Sequence, residues 1–355
     1  MIEKEPSSIE TRMATKLNQA CIDASAETAL EPDLPIIDPH HHLWDYPSHR
    51  YLLPELLADT CTGHCIEATI FIDCGVFYRP NAPQGMDVVG EVEFVNGIAA
   101  MAASGRYGKT KACAGIVGTA DLTLGAAVED VLVMQMSAAG DRFKGIRYTA
   151  GWDDRTRTVH LSHSNPPPHL YRDHEEFRRG FAVLRRLELS FDAWCYHPQL
   201  MDVVDLARSF PDQPIVMNHV GGPLGVECYA DDRDGVYDQW RTAMHELSKC
   251  SNVSLKLGGL GMRINGFGFD RGDRAPSSED LVHAYRPFIE PAIEMFGAER
   301  CMFESNFPVD RISTGYGNLW NAFKKIARGA SDAEKASLFS ETARTFYRLQ
   351  KASAV

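Results

Sequence analysis

The stretch Ile36-Ile37-Asp38-Pro39-His40-His41-His42-Leu43-Trp44-Asp45 decides how this chain is read. Two β-branched residues run into a polar segment punctuated by proline, the pattern of a short buried strand that opens into a loop at its C-terminal end. Side chains alternate along a strand, so His40 and His42 project to one side and His41 to the other. Two imidazoles aimed from one strand end form a compact holder for a metal ion or a substrate group. The plainer reading is a polar turn whose histidines bond locally, and the rest of the chain decides between the two.

Working outward, the same kind of apolar run recurs. Ala68–Asp73, Cys113–Gly118, Phe143–Tyr148, Leu189–Cys195, Pro214–Asn218, Val253–Leu257 and Arg300–Glu304 each read as a short strand without polar alternation. Between them lie segments with helical spacing, such as Val88, Val92, Val95 and Ala99, or Val128, Val131, Leu132 and Met136. A capping box, Ser331-Asp332-Ala333-Glu334, opens what reads as the last helix. Strands that are apolar throughout belong to a parallel sheet covered on both faces. Eight of them in alternation with helices predict an α/β fold, a (β/α)8 TIM barrel with long βα loops, with a doubly wound open sheet as the alternative. Residues 1–33 are polar and weakly periodic and are expected to form a tail or arm, leaving 34–355 as one barrel domain.

Composition narrows the function. The formal charge is −12, which disfavours nucleic acid and anionic membrane as partners. No apolar run approaches the roughly 18 residues of a membrane span. The Met1-Ile2-Glu3-Lys4-Glu5 start lacks a secretory signal, so the expected location is the cytoplasm. The nine cysteines are scattered without zinc-site spacing, an odd number of reduced thiols rather than a disulfide framework. What remains is an enzyme or binding barrel for a small molecule, with assembly of the chain with itself left open.

Barrel enzymes work at the C-terminal ends of their strands. Those ends carry His40 and His42, then Arg147, His197, Asn218-His219, Lys256 and the run Glu304-Ser305-Asn306-Phe307-Pro308-Val309-Asp310. The loops beyond add Tyr78, Arg79, Trp152 and Arg263. Aromatics mixed with guanidinium forks suit a cyclic organic acid, and these residues, with Arg147 and Lys256, are the expected substrate-binding set.

The Asp-x-His-x-His strand, the Asn218-His219-Val220-Gly221-Gly222-Pro223 segment and Ser305-Asn306-Phe307-Pro308 together resemble the amidohydrolase superfamily, in its fuconolactonase-like and pyrone-dicarboxylate lactonase-like branch. The resemblance spans about Ile36 to Leu349. It implies hydrolysis of a lactone or other cyclic ester, of a sugar acid or an aromatic-degradation intermediate. It places His40 and His42 as metal ligands, His197 as a further ligand by analogy with other branches, and His219 near the scissile carbonyl. The implied cofactor is a divalent metal, zinc first, held weakly or dispensable. One departure stands out: where the family has an aspartate acting as ligand and base, this chain has Asn306, which cannot accept a proton at neutral pH. Either the base is Glu304, Asp310 or a histidine, or the chemistry differs from ordinary water-activated hydrolysis. Alternation would put Glu304 on the same side as Asn306. A decarboxylase or hydratase-type lyase, and a barrel that binds without turnover, are the competing readings.

Overall fold

The computed structural model describes residues 19–47, 49–156 and 166–350. Eight strands form one sheet in chain order: β1 (Pro35–His41), β2 (Cys65–Ile72), β3 (Lys111–Gly118), β4 (Phe143–Thr149), β5 (Ser190–Trp194), β6 (Ile215–Met217), β7 (Val253–Leu257) and β8 (Cys301–Phe303). Every adjacent pair is parallel. The ring is completed just past the end of β8, where the amide of Asn306 donates to His40 O at 2.9 Å and that of His42 to Phe307 O at 2.8 Å. The seam of the barrel therefore passes through the histidine motif itself. This is the (β/α)8 barrel, and an open sheet is excluded.

Both faces of the strands are apolar for different reasons. Ile37, Ile70, Ile72, Val117, Val216 and Met302 fill the interior, and Ala343 and Tyr347 from the C-terminal helical segment close its floor. Ile36, Phe71, Ile116, Phe191, Ile215, Leu255 and Phe303 face outward onto the helices. A strand buried on both sides shows no alternation in its sequence.

The covering helices are α1 (Val89–Ala103), α2 (Val128–Ala139), α3 (Glu175–Arg186), α4 (Leu200–Ser209), α5 (Arg233–Ser248), α6 (Ser278–Phe296) and α7 (Tyr316–Ile326). The segment Leu122–Arg142 has the length and composition of a membrane span, contrary to the sequence expectation. Here it is broken at Gly125 and sinks Val128, Val131 and Leu132 into the core. Helix α7 escaped the sequence reading because it is buried on every side, Asn318, Asn321 and Lys324 included. Those polar groups hold the arm: Asn318 accepts from the amide of Glu27, Asn321 from that of Leu30, and Lys324 Nζ donates to Leu30 O at 2.7 Å. Glu27 in turn accepts from the amide of Ser278 at the start of α6, an acid where the helix dipole favours one. Residues 1–18 of the expected arm lie outside the described residues.

The long connections all follow strands, on one face of the barrel. The one after β1 carries a small hairpin, Trp44–Tyr46 with His49–Tyr51, and a helix, Leu53–Thr60. Among the described residues, those after β2, β6, β7 and β8 are irregular or made of short 3-10 turns, and the one after β4 includes a single helical turn, Leu170–Asp173.

Candidate active site

Strand β1 aims its histidines as alternation requires. The Nε2 atoms of His40 and His42 face each other at 3.3 Å, while His41 turns away to Thr69 Oγ1 at 2.9 Å. Asp38, the acid of the motif, braces the seam: it accepts from the amide and hydroxyl of Ser305, from Tyr316 Oη, and from the amide of His40.

His219 arrives from the other side of the ring by an unusual backbone path. Four consecutive residues, His219, Val220, Gly221 and Gly222, have positive φ values of 55, 51, 72 and 57°. Glycine takes that region freely, but a β-branched valine there is strained, a cost tolerated at functional turns. The turn brings the His219 ring within 4.5 Å of His40, centroid to centroid, with Trp194 against its edge at 4.6 Å.

Glu304 lies between the two imidazoles and is fully buried. Its Oε1 takes both the backbone amide of His219 at 3.0 Å and the ring Nδ1 at 2.7 Å. Its Oε2 stands 2.8 Å from His40 Nδ1, off the angle of a hydrogen bond, and has no hydrogen-bond partner. Burial pushes the carboxyl up to about 7, against the pull of Lys256. Burial also holds His40, His42 and His219 well below the ordinary imidazole range, with the positive charge of Arg147 adding to the effect on all three and that of Lys256 on His40 and His219. The three rings are therefore neutral at neutral pH.

Two buried cations complete the cluster, each with its own carboxylate. Lys256 Nζ bonds Asp192 at 2.7 Å and reaches His40 Nδ1 at 3.2 Å, and Tyr347 Oη donates to the same Asp192 at 2.9 Å. Arg147 Nε bonds Asp73 Oδ1 at 2.8 Å, its NH2 bonds the Asp73 carbonyl, and its NH1 faces His40 Nε2 at 3.5 Å. His40 Nδ1 thus has a donor, Lys256, and an acceptor, Glu304, within reach at once. With the proton on Nδ1, Nε2 is a lone pair; with the proton on Nε2, that nitrogen donates to His42. His42 has its Nδ1 on Ile72 O at 2.8 Å, so its Nε2 is an acceptor.

The donor set fits a metal ion. His40, His219 and Glu304 each bring a ligand atom within 4.8 Å of the others, all buried. The 3.3 Å between the His40 and His42 Nε2 atoms is also the edge of a zinc tetrahedron, since bonds of about 2.0–2.1 Å set neighbouring donors about 3.3 Å apart. With the His40 proton on Nδ1 the two Nε2 lone pairs face each other and a cation between them relieves their repulsion; with the proton on Nε2 they share a hydrogen bond.

The other expected residues lie elsewhere. His197 sits in the 3-10 turn His197–Gln199 after β5, accepts from the amide of Leu224 at Nδ1 and packs on Tyr229, outside the metal-capable group. Asn306 has φ 55° and donates from Nδ2 to Asp310 Oδ1 at 2.8 Å, and the other Asp310 oxygen accepts from Gly261 N. Both Asp310 oxygens are therefore engaged in tying the β8 loop to the β7 loop. Arg79 pairs with Glu93 and Arg263 with Asp270, away from the histidines. Tyr78 is half-buried, with Asp73 and Glu91 raising its phenol beyond what burial does. The backbone of Trp152 is pinned by Gln199 Oε1. Sequence reasoning passed over Asp38, Asp73 and Asp192. Each is an acid within or at the end of an apolar strand, which is itself a signal.

A model of the amidohydrolase family matches residues 37–349. The uncharacterized protein y4mH of Sinorhizobium fredii is 34% identical over 89% of this chain and 99% of its own length. L-fucono-1,5-lactonase of Burkholderia multivorans is 30% identical over 50% of this chain and 57% of its own. Among solved structures, an amidohydrolase from Burkholderia multivorans with bound zinc superposes with TM-score 0.67 at 24% identity, covering 89% of this chain and 99% of that one. A candidate 2-pyrone-4,6-dicarboxylic acid hydrolase from Pseudomonas putida gives 0.62 at 16%, covering 90% and 99%. At these identities the two structures speak for the fold.

Proposed function

The chain belongs to the amidohydrolase family, an enzyme of hydrolase type on a (β/α)8 barrel, and on that premise we propose that it opens a lactone of a small organic acid by attack of water at the C-terminal face. The observation that carries this is a buried carboxylate set on a histidine: Glu304 Oε1 lies 2.7 Å from Nδ1 of His219. A carboxylate on Nδ1–H fixes the tautomer of an imidazole, leaves Nε2 as a base and stabilises the cation formed when that base takes a proton. His219 Nε2 is the base of this reading, taking a proton from the attacking water and returning it to the leaving oxygen of the ring. Glu304 does not touch the water; it holds and charges the imidazole that does.

Arg147, the one cation of the cluster still partly open to the barrel mouth with 12% of its side chain exposed, is set to receive the lactone carbonyl or its neighbouring oxygen. Trp194, Tyr78 and Trp152 supply the apolar rim, and Asp310 and Asn306 hold the loops that frame it. In this reading Arg79 and Arg263 lie at the periphery, His197 stays structural and Lys256 acts on His40 rather than on substrate. His40 and His42 would hold a zinc ion, which when bound polarises the carbonyl and acidifies water, while His219 Nε2 stays free as the base. With no carboxylate at Asn306, the ion is held loosely. A small soluble substrate is consistent with the chain's charge of −12 and with a cytoplasmic enzyme.

The test is a panel of 1,4- and 1,5-lactones followed by acid release with a pH indicator, with and without a chelator. Ring opening that chelation weakens but does not abolish is expected. If no lactone releases acid while an aromatic carboxylic acid loses carbon dioxide, the lyase reading takes its place.

A further inference from the structure

We propose that Arg147 is a built-in competitor for the metal position, a guanidinium that stands at the His40–His42 imidazole edge when no ion is there and so keeps zinc exchangeable. This rests on the metal-assisted reading above and concerns its regulation.

The edge between the His40 and His42 Nε2 atoms needs positive charge, because both nitrogens are acceptors once His40 carries its proton on Nδ1. The nearest fixed cation is Arg147 NH1, at 3.5 Å from His40 Nε2. The guanidinium cannot drift: Nε and NH2 are both anchored on Asp73 at the end of β2, which leaves NH1 as the face turned to the histidines. A divalent ion at the same edge meets this positive charge across a few ångströms of buried space, where repulsion is strong. Ion and arginine therefore exclude each other in part. With the guanidinium fixed on Asp73, an ion at the edge is bound beside a standing positive charge and is held less tightly for it. Lys256 adds to the same bias from the Nδ1 side of His40. The arrangement leaves a cation in place at the edge when no ion is bound.

Zinc affinity, measured by competition with a chromophoric chelator on the purified full-length protein, tests this without reference to turnover. Arg147→Met is expected to bind zinc at least tenfold more tightly than wild type. Arg147→Lys, which keeps the charge on a point ammonium lacking the anchored fork, should lie close to wild type. Since Arg147→Met leaves Asp73 without its partner and can fail to fold, Arg147→Met/Asp73→Asn removes both charges and is expected to show the same tightening, together with a larger zinc-induced rise in Tm. Unchanged or weaker zinc binding in the folded variants overturns the inference. So does zinc binding by none of the proteins, and in that case chelator-insensitive lactone opening by the wild type would mean that the metal part of the functional reading falls while the hydrolase part stands.

Discussion

His219 meets Glu304 twice on one oxygen, through its backbone amide at 3.0 Å and its ring Nδ1 at 2.7 Å. His219 makes both contacts from a left-handed backbone, with φ 55°. Glu304→Gln keeps the shape and one acceptor, but turns an NH2 toward one of the two rings and abolishes the charge that stabilises an imidazolium. Activity on the lactone that is turned over should fall about 10²–10⁴-fold. The carboxyl titrates near 7 because it is buried, so wild-type kcat/KM should rise as pH climbs through about 7 and the carboxylate forms. That limb should be missing in the Gln variant. A Gln variant that keeps both the rate and the limb removes Glu304 from the mechanism.

Gly259 controls the same ring from the β7 loop. A Cβ there would lie 2.3 Å from His219 Nδ1, and the residue has φ 65°, so alanine is disfavoured twice. Gly268, in the same loop at φ 76°, has open space around it, and its alanine variant should lose only the backbone strain of about 1–2 kcal/mol. Gly259→Ala should cost on the order of 10²-fold in kcat through displacement of the imidazole. Comparing the two variants in kcat and in urea midpoint separates the effects. Equal kcat losses would mean that loop strain, not the His219 position, is being measured.

Lys256 and Asp192 form an ion pair fully shielded from solvent, with Tyr347 from the C-terminal segment as a third member. Removing one charge of such a pair leaves the other buried and alone. Lys256→Met should therefore destabilise by about 3–5 kcal/mol, and Lys256→Met/Asp192→Leu should recover most of it. Tyr347→Phe deletes one hydrogen bond to a charged acceptor, worth about 1.5–3 kcal/mol. Urea denaturation of the set decides the matter. A double variant no better than the single would show that the pair is not the unit of stability here.

What the sequence revealed of this molecule follows from which signals are local. The eight strands are legible because each is a continuous apolar run, and the aim of His40 and His42 because alternation holds along β1. Alternation misleads at Glu304 and Asn306: the strand ends at Phe303, Asn306 turns left-handed, and its amide goes to Asp310 rather than to the histidines. His197 leaves the barrel axis for a similar reason, since β5 stops at Trp194 and a 3-10 turn begins. Helix α7 does carry a polar stripe, Asn318, Asn321 and Lys324, but the arm covers it instead of water. Tyr347 reaches Asp192 across 155 residues, a contact no local pattern encodes.

The Asn306–Asp310 pair predicts how stability should vary with pH. Burial pushes Asp310 up to about 8, while an unfolded aspartate titrates near 3.9. Between those values the folded chain holds a proton that the unfolded chain has released. This group's contribution is therefore complete below about pH 4 and is lost as pH rises through about 8, with a slope of at most about 1.4 kcal/mol per pH unit. Glu304, titrating near 7, adds a slope of the same sign, so the contribution of Asp310 has to be read as a difference between proteins. Asp310→Asn should show a shallower decline than wild type between pH 5 and 8. Asn306→Asp acts in the opposite direction. It sets a second carboxyl 2.8 Å from Asp310 Oδ1, and two buried carboxyls at that distance share a proton rather than both ionise. Near pH 5 this variant should be close to wild type, and by pH 9 it should be the least stable of the three. Urea midpoints at pH 5, 7 and 9 give the comparison. Should Asn306→Asp match wild type at pH 9, the carboxyls are solvated and the family's aspartate could be restored here without penalty.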